Sequence, residues 1–207
     1  NMSLVSDGNV NFLYYWTLQA YKGFAVLLPD YPGFGDSYGQ CFIPYVVEKP
    51  MVRATIDLTK AARFVLSANN YRYKSELLVT GYSQGAYVAT AFTRELDTNP
   101  GHGLTAKLLV AGGTPANLKQ IADIAIHSET LKAPYLLPYA AWAFKMNGYN
   151  GLEQQDILNE PYASESFKYF DGTYTNLDEY FPKKVSELFT ERFIKELDYD
   201  PALKYAN

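Results

Sequence analysis

Between residues 11 and 113 the chain alternates helical patterns with short apolar runs three times over. No other feature of the sequence narrows the fold as much. The runs are Phe24–Leu28 (FAVLL), Glu76–Thr80 (ELLVT) and Ala106–Ala111 (AKLLVA). Apolar residues at successive positions over such short lengths suit strands buried on both faces. A helical pattern precedes each run. In residues 11–23, Leu13, Trp16 and Ala20 fall at helical spacing and Gly23 is a stop. Pro50 suits a first helical turn, and Met51, Thr55, Leu58, Ala62 and Val65 then recur at steps of four and three. Residues 84–97 are rich in small residues and end before Asn99-Pro100-Gly101. Right-handed crossovers then predict an α/β fold: a parallel sheet with helices on both faces, its neighbouring strands at 24–30, 76–82 and 106–112.

The pattern changes after Gly113-Thr114-Pro115. Residues 116–127, 133–146 and 183–197 read as helices, and no later run reads as a strand. The expected organisation is an α/β core over residues 1–114 followed by a helical region over 115–207. Residues 31–49, rich in Pro, Gly and aromatics, read as one long loop.

Composition removes several function classes. The 18 Lys+Arg stand against 22 Asp+Glu and never cluster, so no nucleic-acid partner is expected. No apolar run approaches the length of a membrane span, so no integral membrane segment is expected. The single cysteine, Cys41, and the two histidines, His102 and His127, leave no Cys-rich or His-rich metal site. Gly33-x-Gly35 fails as a dinucleotide fingerprint, because Tyr38 stands where the third glycine belongs. No metal or cofactor is expected.

The pattern G-x-S-x-G occurs twice, at Gly81-Tyr82-Ser83-Gln84-Gly85 and at Gly35-Asp36-Ser37-Tyr38-Gly39. Context separates the two. A nucleophile elbow needs a strand directly before the serine and a helix directly after it. Ser83 has both, with Gly85, Ala86 and Ala89 allowing close helix–strand approach, whereas Ser37 lies beyond its strand with no helix following. Ser83 is therefore the candidate nucleophile. The backbone N–H of Gln84, at the helix N-terminus, is the candidate oxyanion donor.

At these residues the chain resembles the α/β-hydrolase superfamily, in its serine esterase and secreted lipase-like branch. Two further stretches carry the resemblance. Asp30-Tyr31-Pro32-Gly33-Phe34-Gly35-Asp36-Ser37 is similar to the D-x-x-G-x-G-x-S loop after the fourth strand, and Gly112–Leu118 is similar to the exit of the sixth. The resemblance covers about residues 11–118. It implies strands four to six of that fold, with 115–207 as a helical cap. It further implies that the second oxyanion donor, the triad acid and the triad histidine lie outside this chain, which begins with Asn1 rather than Met and is expected to be an internal piece of a larger hydrolase. Secretion, or a periplasmic location, follows from the resemblance only.

Neither histidine suits the base. His102 falls at the sheet edge opposite the serine, and His127 would require an unusual chain order. Asp123, Asp156, Asp171 and Asp178 read as helix or loop carboxylates, and Asp30 as a residue that holds the Gly33–Gly35 loop. The aromatic run Tyr135, Leu136, Leu137, Tyr139, Trp142, Phe144 and Met146 reads as packing between cap helices or as pocket lining. The expected activity is hydrolysis of a small-molecule ester or a lipid. Peptidase or thioesterase chemistry, or a non-catalytic binding protein of the same fold, are the competing readings.

Overall fold

Strand β1 (Glu76–Tyr82) and strand β2 (Thr105–Gly112) run parallel in the computed structural model. The structure describes residues 17–149, 151, 153–171, 174 and 176–197. It divides into two compact units, one of residues 1–41 and 48–114 and the other of residues 42–47 and 115–207.

In the first unit, helix α1 (Glu48–Ala68) precedes β1, and helix α2 (Gln84–Thr98) is the crossover from β1 to β2. Alternation along the strands decides what each face meets. Leu77, Val79 and Ala106 pack against Val52 and Ile56 of α1, Ala91, Phe92 and Leu96 of α2, and Leu104. Each fully buried aliphatic or aromatic side chain there contributes about 1.5–3 kcal/mol. An ion pair between Glu48 and Arg94 joins the start of α1 to α2. The opposite face pairs Leu78 with Leu108 and Thr80 with Val110 across the strands. It is open among the described residues, with Leu78 51%, Leu108 52% and Val110 56% exposed.

The α/β class and the parallel sheet therefore stand, but two expectations need correction. The segment 24–30 forms no strand, and the helices α1 and α2 share one face of a two-stranded sheet. Apolar runs report burial, and Val26–Asp30 are indeed half-buried. A strand also needs a ladder partner, and the only ladder partner of β1 among the described residues is β2. Residues 17–21 are helical, and the Gly23 N–H caps that turn by donating to the Ala20 carbonyl at 2.9 Å. Leu13 and Trp16 lie outside the described residues.

In the second unit, helices α3 (Leu118–Ile126) and α4 (Leu136–Met146) replace the patterns at 116–127 and 133–146. Asn117 starts α3, its Oδ1 accepting from the Gln120 N–H at 3.0 Å. The core is a chain of rings: Tyr45 stacks on Tyr139 at 4.9 Å, Tyr139 on Phe170 at 4.5 Å, and Phe170 on Phe181 at 5.7 Å. Burial holds the Tyr139 phenol far above its usual range. Trp142 Nε1 donates to the fully buried Ser166 Oγ at 2.8 Å. The helix expected over 183–197 is broken into Val185–Leu188 and Glu191–Leu197. Phe189 leaves the helix to pair antiparallel with Leu158, and the Thr190 N–H donates to the Ile157 carbonyl at 3.0 Å. Tertiary hydrogen bonding overrides helical periodicity there.

Candidate active site

Ser83 stands between the last residue of β1 and the first of α2. The chain must reverse there within one residue, and Ser83 does so at φ 53°, ψ −120°. A positive φ on a non-glycine residue costs about 1–3 kcal/mol and persists only where neighbours impose it. Three contacts impose it here. The Ser83 N–H donates to the Gly112 carbonyl at 2.8 Å, and the Tyr87 N–H donates to the Ser83 carbonyl at 3.1 Å. Gly81 lies against the first turn of α2, so closely that a Cβ on it would sit 2.2 Å from the Gly85 carbonyl oxygen. Ser83 is an exposed residue.

Gln84 opens α2, so its backbone N–H belongs to the first turn, whose donors have no intrahelical acceptor. The positive end of the helix dipole adds to that donor. The Gln84 side chain turns toward α1, with Nε2 3.7 Å from the sulfur of the fully buried Met51. An exposed hydroxyl beside the N-terminal donors of a helix can attack a carbonyl carbon while the donors receive the developing oxyanion.

The other G-x-S-x-G serine has a different surrounding. Ser37 Oγ accepts from the Gly33 N–H at 2.9 Å and donates to the Phe34 carbonyl at 2.8 Å. The hydroxyl closes its own loop. Asp30 packs against the same loop: its Oδ2 lies 2.7 Å from where a Gly35 Cβ would be, and Gly35 has φ +57°.

His102 follows the far end of α2 from Ser83. Fifteen helical residues separate the two ends, about 22 Å at 1.5 Å per residue. Its Nε2 lies 3.0 Å from Glu95 Oε1, and that hydrogen bond is the first cause holding the Glu95 carboxyl below its usual range. His127 and Asp123 belong to the second unit, where His127 Nδ1 meets the Asp123 carbonyl at 2.8 Å and its carboxylate at 3.4 Å. Asp156 caps a short helix and pairs with Arg192 Nη1 at 2.7 Å. Asp171 and Asp178 lie in the second unit, where Asp178 helps raise the Tyr135 phenol, after burial. Among the described residues, no group of three His, Cys, Asp or Glu could hold a metal ion, and no helix is long and apolar enough to cross a membrane.

Two features at the serine are not legible in the sequence. Helical periodicity placed Met51 on the apolar face of α1 but could not pair its sulfur with Gln84. The double glycine at 112–113 read as a strand exit, and its contact with Tyr82 depends on strand register.

A sequence profile of the secretory lipase family matches residues 12–176. Among solved structures, a candidate hydrolase of Legionella pneumophila superposes with a TM-score of 0.73 at 20% identity, over 88% of this chain and 50% of its own. The rice cell wall degrading esterase LipA of Xanthomonas oryzae, in a ligand-bound form, superposes with a TM-score of 0.65 at 25% identity, over 78% of this chain and 45% of its own. The chain thus spans about half the length of these structures. A comparison with curated proteins gives no match.

Proposed function

The chain belongs to the secretory lipase family, and from that premise we propose that it is the nucleophile-bearing part of a secreted serine hydrolase acting on carboxylic esters. One observation carries the reading: Ser83, an exposed residue, holds a strained φ of 53° between a strand and a helix. The Xanthomonas relative is named as an esterase, which supports an ester as substrate class, either a small molecule or a lipid.

In this reading Ser83 Oγ attacks the ester carbonyl carbon and its proton passes to a general base. The carbonyl electron pair moves onto oxygen, where the Gln84 N–H receives it. One such donor is worth about 3 kcal/mol at the transition state. Collapse of the tetrahedral intermediate expels the alcohol, which takes the proton back, and water then releases the acid from Ser83 by the same steps. We place the base, its orienting acid and the second oxyanion donor outside these 207 residues. His102 is occupied with Glu95 at the wrong end of α2. We assign residues 115–207 to a helical cap.

The full-length protein incubated with a fluorophosphonate probe tests the assignment. Labelling is expected in the wild type and in Ser37→Ala, and none in Ser83→Ala. Labelling that survives Ser83→Ala refutes Ser83 as nucleophile, and a wild type that is never labelled favours a non-catalytic binding protein of the same fold.

A further inference from the structure

We propose that the Tyr82 ring and the Gly112–Gly113 pair form a clamp that positions the Ser83 backbone, making Tyr82 and Gly112 positioning residues for the reaction. The proposal rests on the reading of Ser83 as nucleophile.

Tyr82 is the last residue of β1 and lies opposite Gly112 in the strand register. Tyr82 is 79% exposed, so it is not held as a core side chain. It lies instead on backbone that carries no side chain. A Cβ on Gly112 would sit 3.2 Å from Tyr82 Cδ2, and a Cβ on Gly113 would sit 3.3 Å from Cε2, 3.5 Å from Cζ and 3.7 Å from the hydroxyl oxygen. The ring therefore extends along the exit of β2, its hydroxyl end beside the residue after the strand.

Glycine in a strand weakens it and marks a close approach of another group. Gly113 has φ +61°, which by itself favours glycine. Gly112 has no positive φ, so its backbone would accept any residue. The group that a side chain at 112 would meet is the Tyr82 ring. The same Gly112 contributes the carbonyl that accepts the Ser83 N–H at 2.8 Å. One residue thus seats the ring and anchors the nucleophile, whose strained φ requires an anchor. A methyl group at 112 forces the ring or the Gly112 peptide to give by a few tenths of an ångström, and a shift of the peptide passes directly to Ser83. Misplacement by about 1 Å can cost about a hundredfold in rate, so a shift of this size is expected to cost about three- to tenfold.

The test is a double-mutant cycle on the full-length protein: Gly112→Ala, Tyr82→Ala and the pair. Two readouts are taken. Hydrogen exchange at the Ser83 amide reports the anchor without any need for activity, and fluorophosphonate labelling at increasing probe concentration separates the maximal rate from probe affinity. With Tyr82 present, Gly112→Ala is expected to speed Ser83 amide exchange and to lower the maximal labelling rate about three- to tenfold at unchanged affinity. With Ala at 82, adding Gly112→Ala is expected to change neither. Equal effects in both backgrounds, or no change of Ser83 exchange with Tyr82 present, overturn the clamp. If Gly112→Ala alone fails to fold, recovery of folding in the double variant supports the clamp and failure of both overturns it. A wild type that is never labelled but shows the coupled exchange keeps the clamp and removes the nucleophile reading.

Discussion

Replacing Gly81 by alanine should damage this protein far more than replacing Gly85, although both are glycines of one five-residue motif. A Cβ on Gly81 would sit 2.2 Å from the Gly85 carbonyl oxygen, 2.4 Å from its carbon and 2.7 Å from the Ala86 nitrogen. All three are backbone atoms, so no rotamer change relieves them. Moving the oxygen from 2.2 Å to the 3.0 Å below which such contacts essentially never occur requires a shift of about 0.8 Å in the first turn of α2. That helix is anchored by Ala91, Phe92 and Leu96 in the core, so the shift spreads into packing. Overpacking costs typically about 1–3 kcal/mol. A weakened Ser83 N–H bond to the Gly112 carbonyl adds about 1 kcal/mol. The expected loss is therefore about 2–4 kcal/mol, or a Tm lower by roughly 4–16 °C for a chain of this size. Gly85 is the control. It is helical and a Cβ there meets nothing within 4 Å, so Gly85→Ala should raise stability by up to about 1 kcal/mol. Thermal unfolding of the three proteins side by side decides the matter. A Gly81→Ala variant within about 0.5 kcal/mol of wild type, or a Gly85→Ala variant equally harmed, would refute the steric account of the elbow.

Asn159 Nδ2 donates to the carbonyls of Phe189 at 2.9 Å, Ser186 at 3.2 Å and Glu187 at 3.3 Å. Asn159→Asp turns that donor into an acceptor facing three acceptors and should destabilise by about 2–4 kcal/mol in urea titration, with Asn159→Ala milder. Glu95 should titrate below the usual carboxylate range by carbon-13 NMR, because His102 and then Asn99 hydrogen-bond its ionised form, and His102→Ala should raise its midpoint. Since the folded pKa is the lower one, its contribution is present above the unfolded pKa and fades as pH falls through the folded value.

What the sequence discloses depends on how local the cause is. β1 and α2 follow from residues adjacent to Ser83, and so does the sharp turn between them. The bounds of α1 are legible from the four–three spacing and Asn69-Asn70, yet that spacing also put Val65 on the apolar face, where it is 56% exposed. The apolar run at 24–30 looks like β1 and β2 in composition, but ladder formation is a property of a pair and cannot be read from one member. The break at Phe189 has the same origin, since its partner Leu158 lies thirty-one positions earlier. The two G-x-S-x-G matches were separable because their flanks differ. The inward bonds of Ser37, to Gly33 and Phe34, supply a reason for that motif which the pattern itself does not contain.

The membership of residues 42–47 in the second unit has a consequence in time. Ile43, Val46 and Val47 are fully buried there, although the chain then runs through residues 48–114 before that unit resumes. During synthesis this segment waits for its partners: Tyr45 stacks on Tyr139, and Phe42 meets Phe167 and Phe170. At about 5–20 residues per second, that wait is roughly five to thirty seconds. Among the described residues, the strands and helices of the first unit are made by residue 112, and that unit can condense earlier. The polypeptide therefore carries an unsatisfied apolar segment past an earlier-folding neighbour, and a fragment begun at residue 115 would lack three side chains of its own interior.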